Sequence, residues 1–207
     1  MTITLYGETH WESPWVFTAF VALREKGLSF EEKALDLSKG EQRTADYLTQ
    51  SLTARVPALV VDGFELSESL AIVEYLEERY AAPNYPRLLP ESREDRARAR
   101  QILNWLRTDL SALRRQRPTS SVFFEPVRTP LSTEAQADAG KLVRIASHLL
   151  SGDRPTVFDS WSIVDAEVTL TLSRLVVNGD AVPPALAKYT ADQWTRPSLA
   201  AYKNHER

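Results

Sequence analysis

The chain has 207 residues, 43% hydrophobic and 26% charged, with a formal net charge of −3 at neutral pH. That length can bury a full core as one large or two small domains, and the charge argues against a general nucleic-acid binder. It contains no cysteine, which excludes disulfides, thiolate metal sites and protein-thiol redox chemistry.

Residues Ile3–Tyr6 alternate β-branched and apolar residues and predict a short strand. A polar loop follows, with Trp11 inside it. Ser13-Pro14 is a helix start, serine as N-cap and proline at the first helical position. The helix should run to Lys26, with Gly27 as its stop. Phe30–Leu37 predicts a second strand, and Lys39–Tyr47 a polar stretch with a short helix. Pro57 opens a third strand, where a proline removes no ladder bond. Asp62-Gly63 predicts a two-residue hairpin, because a type I′ turn needs φ > 0 at both central positions. Ser67-Glu68-Ser69 then leads into a helix with apolar positions at Leu70, Ile72, Val73 and Leu76.

The order β-α-β-(α)-β-β-α within about 80 residues predicts a small mixed sheet, with a right-handed parallel crossover first and an antiparallel hairpin last. Ala81–Pro90 carries three prolines and reads as a linker. Beyond it the pattern is helical. One helix is expected over Glu91–Arg117, a break over Pro118–Pro130, a second helix over Thr133–Leu150 and a third over Ser162–Val177. The third is apolar on nearly every side, which places it at the centre of a bundle. Ser162 and Asp165 make a capping-box pattern at its start. The expected organisation is therefore a domain over 1–81, a linker over 82–90 and an all-helical domain over 91–207.

Four features bear on chemistry, and each has a plain structural reading beside the functional one. Ser13 can be a helix cap and nothing more. It also closes the loop after the first strand, where α/β folds bind ligands, and a hydroxyl that accepts as a cap can still donate to an anion. Pro57 can be an edge-strand proline, or its peptide bond with Val56 can be cis and turn the backbone toward a ligand. Glu68 and Ser69 can serve the helix macrodipole, or recognise an α-amino-acid head group, carboxylate to ammonium and hydroxyl plus N–H groups to carboxylate. The arginines at 93, 96, 98, 100, 107, 114, 115 and 117 read as a solvated helix face, ahead of a nucleic-acid surface. His10, His148 and His205 lack metal-ligand spacing, so no metal is expected. No phosphate loop, dinucleotide fingerprint or metalloprotease helix is present. The first residues carry no secretory pattern and no run approaches the ~18 apolar residues of a membrane span. A soluble, cytoplasmic protein is the expectation.

V-P-A-L at Val56–Leu59, E-S-L-A-I at Glu68–Ile72, Y-L at Tyr75-Leu76, L-L-P followed by Arg96-Ala97, and S-I-V-D at Ser162–Asp165 occur in this order along the chain. Together they resemble the glutathione S-transferases over essentially the full length, with the nearest likeness a bacterial YfcF-like subgroup with a serine-type site. The resemblance implies an α+β chain: a thioredoxin-like N-terminal domain (βαβαββα) and an all-α C-terminal bundle, in a homodimer. It implies a cis Pro57, Val56 pairing with the cysteinyl backbone of glutathione, Glu68 and Ser69 on the γ-glutamyl end, and Gln42 and Arg55 at the glycyl end. Ser13 falls where related proteins carry the serine or cysteine that meets the glutathione sulfur. As serine it implies thiolate stabilisation, where a cysteine would form a mixed disulfide. Tyr6, Thr9, His10 and Trp11 are alternative thiol contacts, Tyr6 first among them. The implied activity is attack of the glutathione thiolate on a small electrophile or a hydroperoxide. Glutathione is then co-substrate, no cofactor is needed, and neither nucleic acid nor membrane is a partner. The alternative is a non-catalytic binding or adaptor protein on the same fold. The set Ser13, Glu68 and Ser69 favours the enzyme, since an adaptor has no need of all three.

Overall fold

The computed structural model describes residues 2–152 and 154–205. The chain divides into two compact units, Met1–Leu88 with Ala201–Arg207, and Leu89–Ala200.

The first unit is a four-stranded sheet flanked by helices, in strand order β2-β1-β3-β4. β1 is Ile3–Glu8, β2 Glu31–Leu35, β3 Ala58–Val61 and β4 Phe64–Ser67. β1 runs parallel to β2 and antiparallel to β3, and β4 returns antiparallel on β3. This is the expected topology: a βαβ crossover followed by a hairpin. The hairpin turns on Asp62 and Gly63, both with positive φ (51° and 88°), as a type I′ turn requires. α1 (Pro14–Glu25) is buried at every residue from Val16 to Leu23 and packs on β1 and on α3 (Ser69–Arg79). Lys26 caps α1, and Gly27 follows with φ 67°. The polar stretch after β2 forms two 3₁₀ turns, Leu37–Lys39 and Glu41–Arg43, and the short α2, Ala45–Leu48. The chain's last residues return to this unit, where Tyr202 is fully buried with ring centroids 5.2 Å from both Phe17 and Phe20.

The second unit is helical: α4 (Arg93–Thr108), α5 (Ser111–Gln116), α6 (Ser120–Phe123), α7 (Thr133–Leu149), α8 (Ile163–Val176), α9 (Pro184–Trp194) and the start of α10 (Pro197–Lys203). α8 is its centre, buried at every residue from Ile163 to Leu175. Most of its polar positions are partnered inward or along the helix; the buried Thr169 Oγ1 takes no partner among the described residues. Glu167 meets Arg107 at 2.6 Å, Thr171 Oγ1 donates to Glu167 O at 2.7 Å, and Ser173 Oγ donates to Thr169 O at 2.8 Å. Asp165 Oδ2 accepts from the Ser162 N–H at 2.9 Å, completing the acidic half of the expected capping box.

Two expectations need correction here. The single helix over Glu91–Arg117 is broken at Asp109 and at Leu110, which takes a left-handed conformation (φ 59°). The break is stabilised by tertiary contacts. The N–H groups of Ala112 and Leu113 at the start of α5 donate to Asp138 Oδ2 on α7, at 2.9 and 3.1 Å. The arginine run is not solvated throughout: Arg93, Arg98, Arg100 and Arg115 are exposed, while Arg107 and Arg114 are half-buried and Arg117 is buried. Arg117 is 1% exposed, and its guanidinium forks onto Asp180 at 2.7 and 2.8 Å. α9 and α10 add to the expected helices; each starts on a proline, Pro184 and Pro197, a start signal the periodicity did not draw out.

Candidate functional site

Strand register brings the candidate residues to one end of the sheet. Tyr6 pairs with Ala58, and Ala58 with Ser67. One step beyond that row lie Gly7 and Glu8 on β1, Pro57 and Val56 before β3, and Glu68 and Ser69 after β4. β2 leaves the sheet at the same end, since Glu8 pairs with Leu35, and its continuation carries Gln42. Ser13, Gln42, Arg55, Val56, Glu68 and Ser69 are thus all on segments that exit at the C-terminal end of β1.

Ser13 is the N-cap of α1. Its Oγ accepts from the N–H groups of Trp15 and Val16 at 3.3 and 3.4 Å. The hydroxyl proton stays available to donate. Its own N–H donates to Glu8 Oε1 at 2.7 Å, and the Glu12 N–H reaches the same oxygen. Glu8 is 7% exposed. Burial raises its pKa above the ordinary carboxylate value, and the N–H groups of Ser13 and Glu12 act against that rise.

Val56–Pro57 is cis, as the resemblance implies. The turn before it is built by Tyr47 and Ser51. Tyr47 Oη donates to Arg55 O at 2.7 Å, Ser51 Oγ donates to the same carbonyl at 2.9 Å, and the Arg55 N–H donates back to Ser51 Oγ at 3.2 Å. Burial pushes the Tyr47 phenol up to about 12, so it remains a donor. The Arg55 side chain is exposed. Among the described residues no hydrogen bond of the chain engages the Val56 N–H or C=O.

Glu68 sits at the N-cap of α3 with φ 73° and ψ 114°, and its exposed side chain makes no cap bond. A non-glycine residue there is strained by ~1–3 kcal/mol, and such outliers cluster at ligand clamps. Ser69, the first residue of α3, is 5% exposed. Gln42 lies in the second 3₁₀ turn; its Oε1 is buried and takes no partner among the described residues.

The alternative thiol contacts separate by environment. Trp11 is 4% exposed and stacks on His205, centroids 4.5 Å apart, so it is part of the packed interior. Tyr6 alternates with the buried Ile3 and Leu5, and its ring meets Tyr47 edge-on at 5.5 Å. Gly7, on the Leu5 face, is the residue that approaches α1: a Cβ there would lie 3.1 Å from Val16 Cγ1. Tyr6 therefore points to the face of the sheet opposite α1. Thr9 and His10 are exposed. The residues that sequence reasoning missed are Glu8, Tyr47, Ser51 and Tyr202. Their roles are side-chain hydrogen bonds to irregular backbone, within a loop for Glu8, Tyr47 and Ser51 and across the fold for Tyr202, for which no periodicity exists. Among the described residues no group of three or more His, Asp or Glu side chains could hold a metal ion, and no helix is long and apolar enough to cross a membrane.

A βαβ-ββα sheet with a cis-proline opening β3, and two helix N-termini at the same end, is a thioredoxin-like domain; here it is joined to a helical domain. Comparison with known proteins carries this further. The model of the glutathione S-transferase C-terminal domain matches residues 92–204, and that of the N-terminal domain residues 1–78. The chain belongs to the glutathione S-transferase family. It is similar to a glutathione transferase homolog from Burkholderia gl BGR1 solved with bound glutathione, at 40% identity over 98% of this chain and 96% of that one, TM-score 0.80. It is 35% identical to glutathione S-transferase F10 of Arabidopsis thaliana over 63% of this chain and 57% of the relative. It is 36% identical to maleylacetoacetate isomerase of Dictyostelium discoideum over 51% and 48% respectively. The chain spans about half the length of these curated relatives.

Proposed function

We propose that this protein is a glutathione transferase of serine type, in which Ser13 stabilises the glutathione thiolate for attack on a small electrophile. The observation that carries the reading is the Ser13 hydroxyl. It accepts two N–H groups as the cap of α1 and keeps its own proton to donate, at the sheet end that also holds cis Val56–Pro57 and Glu68-Ser69. The placement of Tyr6 against Tyr47, on the other face from α1, favours Ser13 over Tyr6. In this reading the Val56 backbone pairs with the cysteinyl residue. Glu68 takes the γ-glutamyl ammonium, and Ser69 with the N-terminus of α3 takes its carboxylate. Gln42 and Arg55 hold the glycyl end. The 40% identical Burkholderia homolog with bound glutathione supports the ligand.

The chemistry follows from the thiol. A free thiol of pKa about 8.5 is mostly protonated at neutral pH, and each unit of lowering is ~1.4 kcal/mol of preference for the thiolate. The Ser13 O–H and the positive end of α1 both favour the anion. The proton leaves to solvent, the sulfur forms a bond to the electrophilic carbon, and the leaving group departs with its electron pair. A hydroperoxide would be attacked at oxygen by the same thiolate. A homodimer in the cytoplasm, in contact with the cellular glutathione pool, completes the reading.

Calorimetric titration with glutathione tests the ligand: absence of binding at millimolar concentration would leave a non-catalytic module. Turnover of Ser13→Ala against Tyr6→Phe tests the residue. We expect the first to lose most of the rate and the second to keep it; the reverse result assigns the thiol contact to Tyr6.

A further inference from the structure

Ser13 is held by more than its place on α1. Its N–H donates to Glu8 Oε1 at 2.7 Å, and its C=O accepts from Tyr202 Oη at 3.2 Å, a residue 189 positions away. The same carbonyl also takes the first helical bond of α1, from Phe17 N at 3.0 Å. Both clamping side chains are themselves buried. Tyr202 is fully buried against Phe17 and Phe20. Glu8 is 7% exposed at the end of β1, and its other oxygen, Oε2, is buried with no partner among the described residues. An unpartnered buried carboxylate oxygen is unfavourable for folding and calls for a reason. The loop between the clamps is fixed as well. Trp11 adopts a left-handed conformation (φ 46°) and stacks on His205, whose Nε2 lies 2.6 Å from Glu32 Oε2 on β2.

We propose that Glu8 and Tyr202 are positioning residues that clamp the Ser13 backbone on both sides of its Cα, so that the end of β1 and Tyr202 on α10 together aim the Ser13 hydroxyl. The proposal rests on Ser13 being the thiol contact. A hydroxyl that stabilises an anion must keep its direction through the reaction, because a displacement of about 1 Å can cost ~100-fold in rate. Capping alone leaves that direction to two long bonds of 3.3 and 3.4 Å. The clamp fixes the two peptide planes that flank the Ser13 Cα, from which the side chain projects. Glu8 and Tyr202 touch the backbone of Ser13, so they act through it.

The test is the pKa of enzyme-bound glutathione, read from thiolate ultraviolet absorbance against pH, with steady-state turnover of chlorodinitrobenzene. It is run on Ser13→Ala, Tyr202→Phe, Glu8→Ala and Glu8→Gln, and on each clamp variant combined with Ser13→Ala. We expect Tyr202→Phe to lower kcat about threefold to tenfold while KM for glutathione stays within about twofold, with the bound thiol pKa raised by about half a unit to one unit. Glu8→Ala should do more, and Glu8→Gln, which keeps a carbonyl acceptor, should recover most of the loss. In the Ser13→Ala background neither clamp change should shift the thiol further. A thiol pKa and kcat unchanged in both Tyr202→Phe and Glu8→Ala overturn the clamp, as does an undiminished shift in the Ser13→Ala background. If Ser13→Ala itself shifts nothing, the Ser13 assignment has failed and the clamp with it, a result distinct from the first two. Should Glu8→Ala not fold, Tyr202→Phe, which deletes a single oxygen, decides the matter.

Discussion

Lys26 and Glu77 form an ion pair at 2.7 Å inside the first unit, with side chains 0% and 6% exposed. Lys26 Nζ also donates to Tyr80 O at 2.8 Å, and Glu77 Oε2 accepts from the Leu88 N–H at 2.8 Å. The pair therefore ties the end of α1 to α3 and to the segment that follows it. Lys26 is the C-cap of α1, where a cation also suits the macrodipole.

Removing one partner strands a buried charge. Glu77→Ala should cost about 3–5 kcal/mol, while the double change Lys26→Met with Glu77→Leu should be far milder. Urea unfolding of the two variants checks this; a Glu77→Ala loss as small as that of the double variant would mean the ammonium is solvated.

Glu68 offers a separation of stability from binding. Its φ of 73° suits glycine. Glu68→Gly should hold or raise stability, by up to about 1 kcal/mol, as strain relief offsets added freedom of the unfolded chain. The same variant should weaken glutathione by about tenfold or more, ~1.4 kcal/mol. Glu68→Ala should lose the binding with no gain in stability. Thermal unfolding and calorimetric titration, run side by side, decide whether the carboxylate touches the ligand: glycine with unchanged affinity removes Glu68 from the site.

The absence of cysteine makes position 13 easy to probe. Ser13→Cys should react with oxidised glutathione to a single mixed disulfide, visible by intact mass and reversed by a reducing agent. A thiol at a helix N-terminus has a lowered pKa. Thr195→Cys, exposed at the opposite end of a helix, should react more slowly. The variant at 13 should also prefer oxidised glutathione over a small neutral disulfide. Equal rates with both disulfides would place the sulfur of glutathione elsewhere.

Stability should depend on pH through groups of opposite sign. Asp165 accepts from Val157 N and Tyr189 Oη at 2.8 Å each, and from Ser162 N at 2.9 Å. Burial nonetheless raises its pKa, as it does for Glu8. Between the ordinary carboxylate value and the raised one, the folded state holds more protons than the unfolded state, so stability falls as pH climbs through that window. The contribution is complete below it. Asp36 works the other way: its hydrogen bond from Ser38, then Lys39, lowers it to about 2. Its contribution is present above the ordinary value and is lost as pH falls toward about 2. Denaturant midpoints across the acidic range should show the first trend flattened in Glu8→Gln and Asp165→Asn. A midpoint slope unchanged in both would mean these carboxylates titrate normally.

The amino-acid sequence by itself determined the features that local geometry governs. Ser13-Pro14 starts a helix, Gly27 follows its end, Asp62-Gly63 turns a hairpin and Ser162–Asp165 caps α8, because each depends on φ preference or on contacts three or four residues apart. The order of strands and helices, and the place of Val56, Glu68 and Ser69 at one sheet end, followed from those signals and from the family resemblance. The tertiary structure alone decided the break at Asp109 and Leu110, whose next helix is capped from Asp138. It alone turned Arg117 inward onto Asp180 and Trp11 onto His205. It alone set Glu8 on the N–H and Tyr202 on the C=O of Ser13. All but the Glu8–Ser13 contact, which spans five residues of a loop, join residues far apart in the chain, and none of them follows a period or spacing that can be read in the sequence.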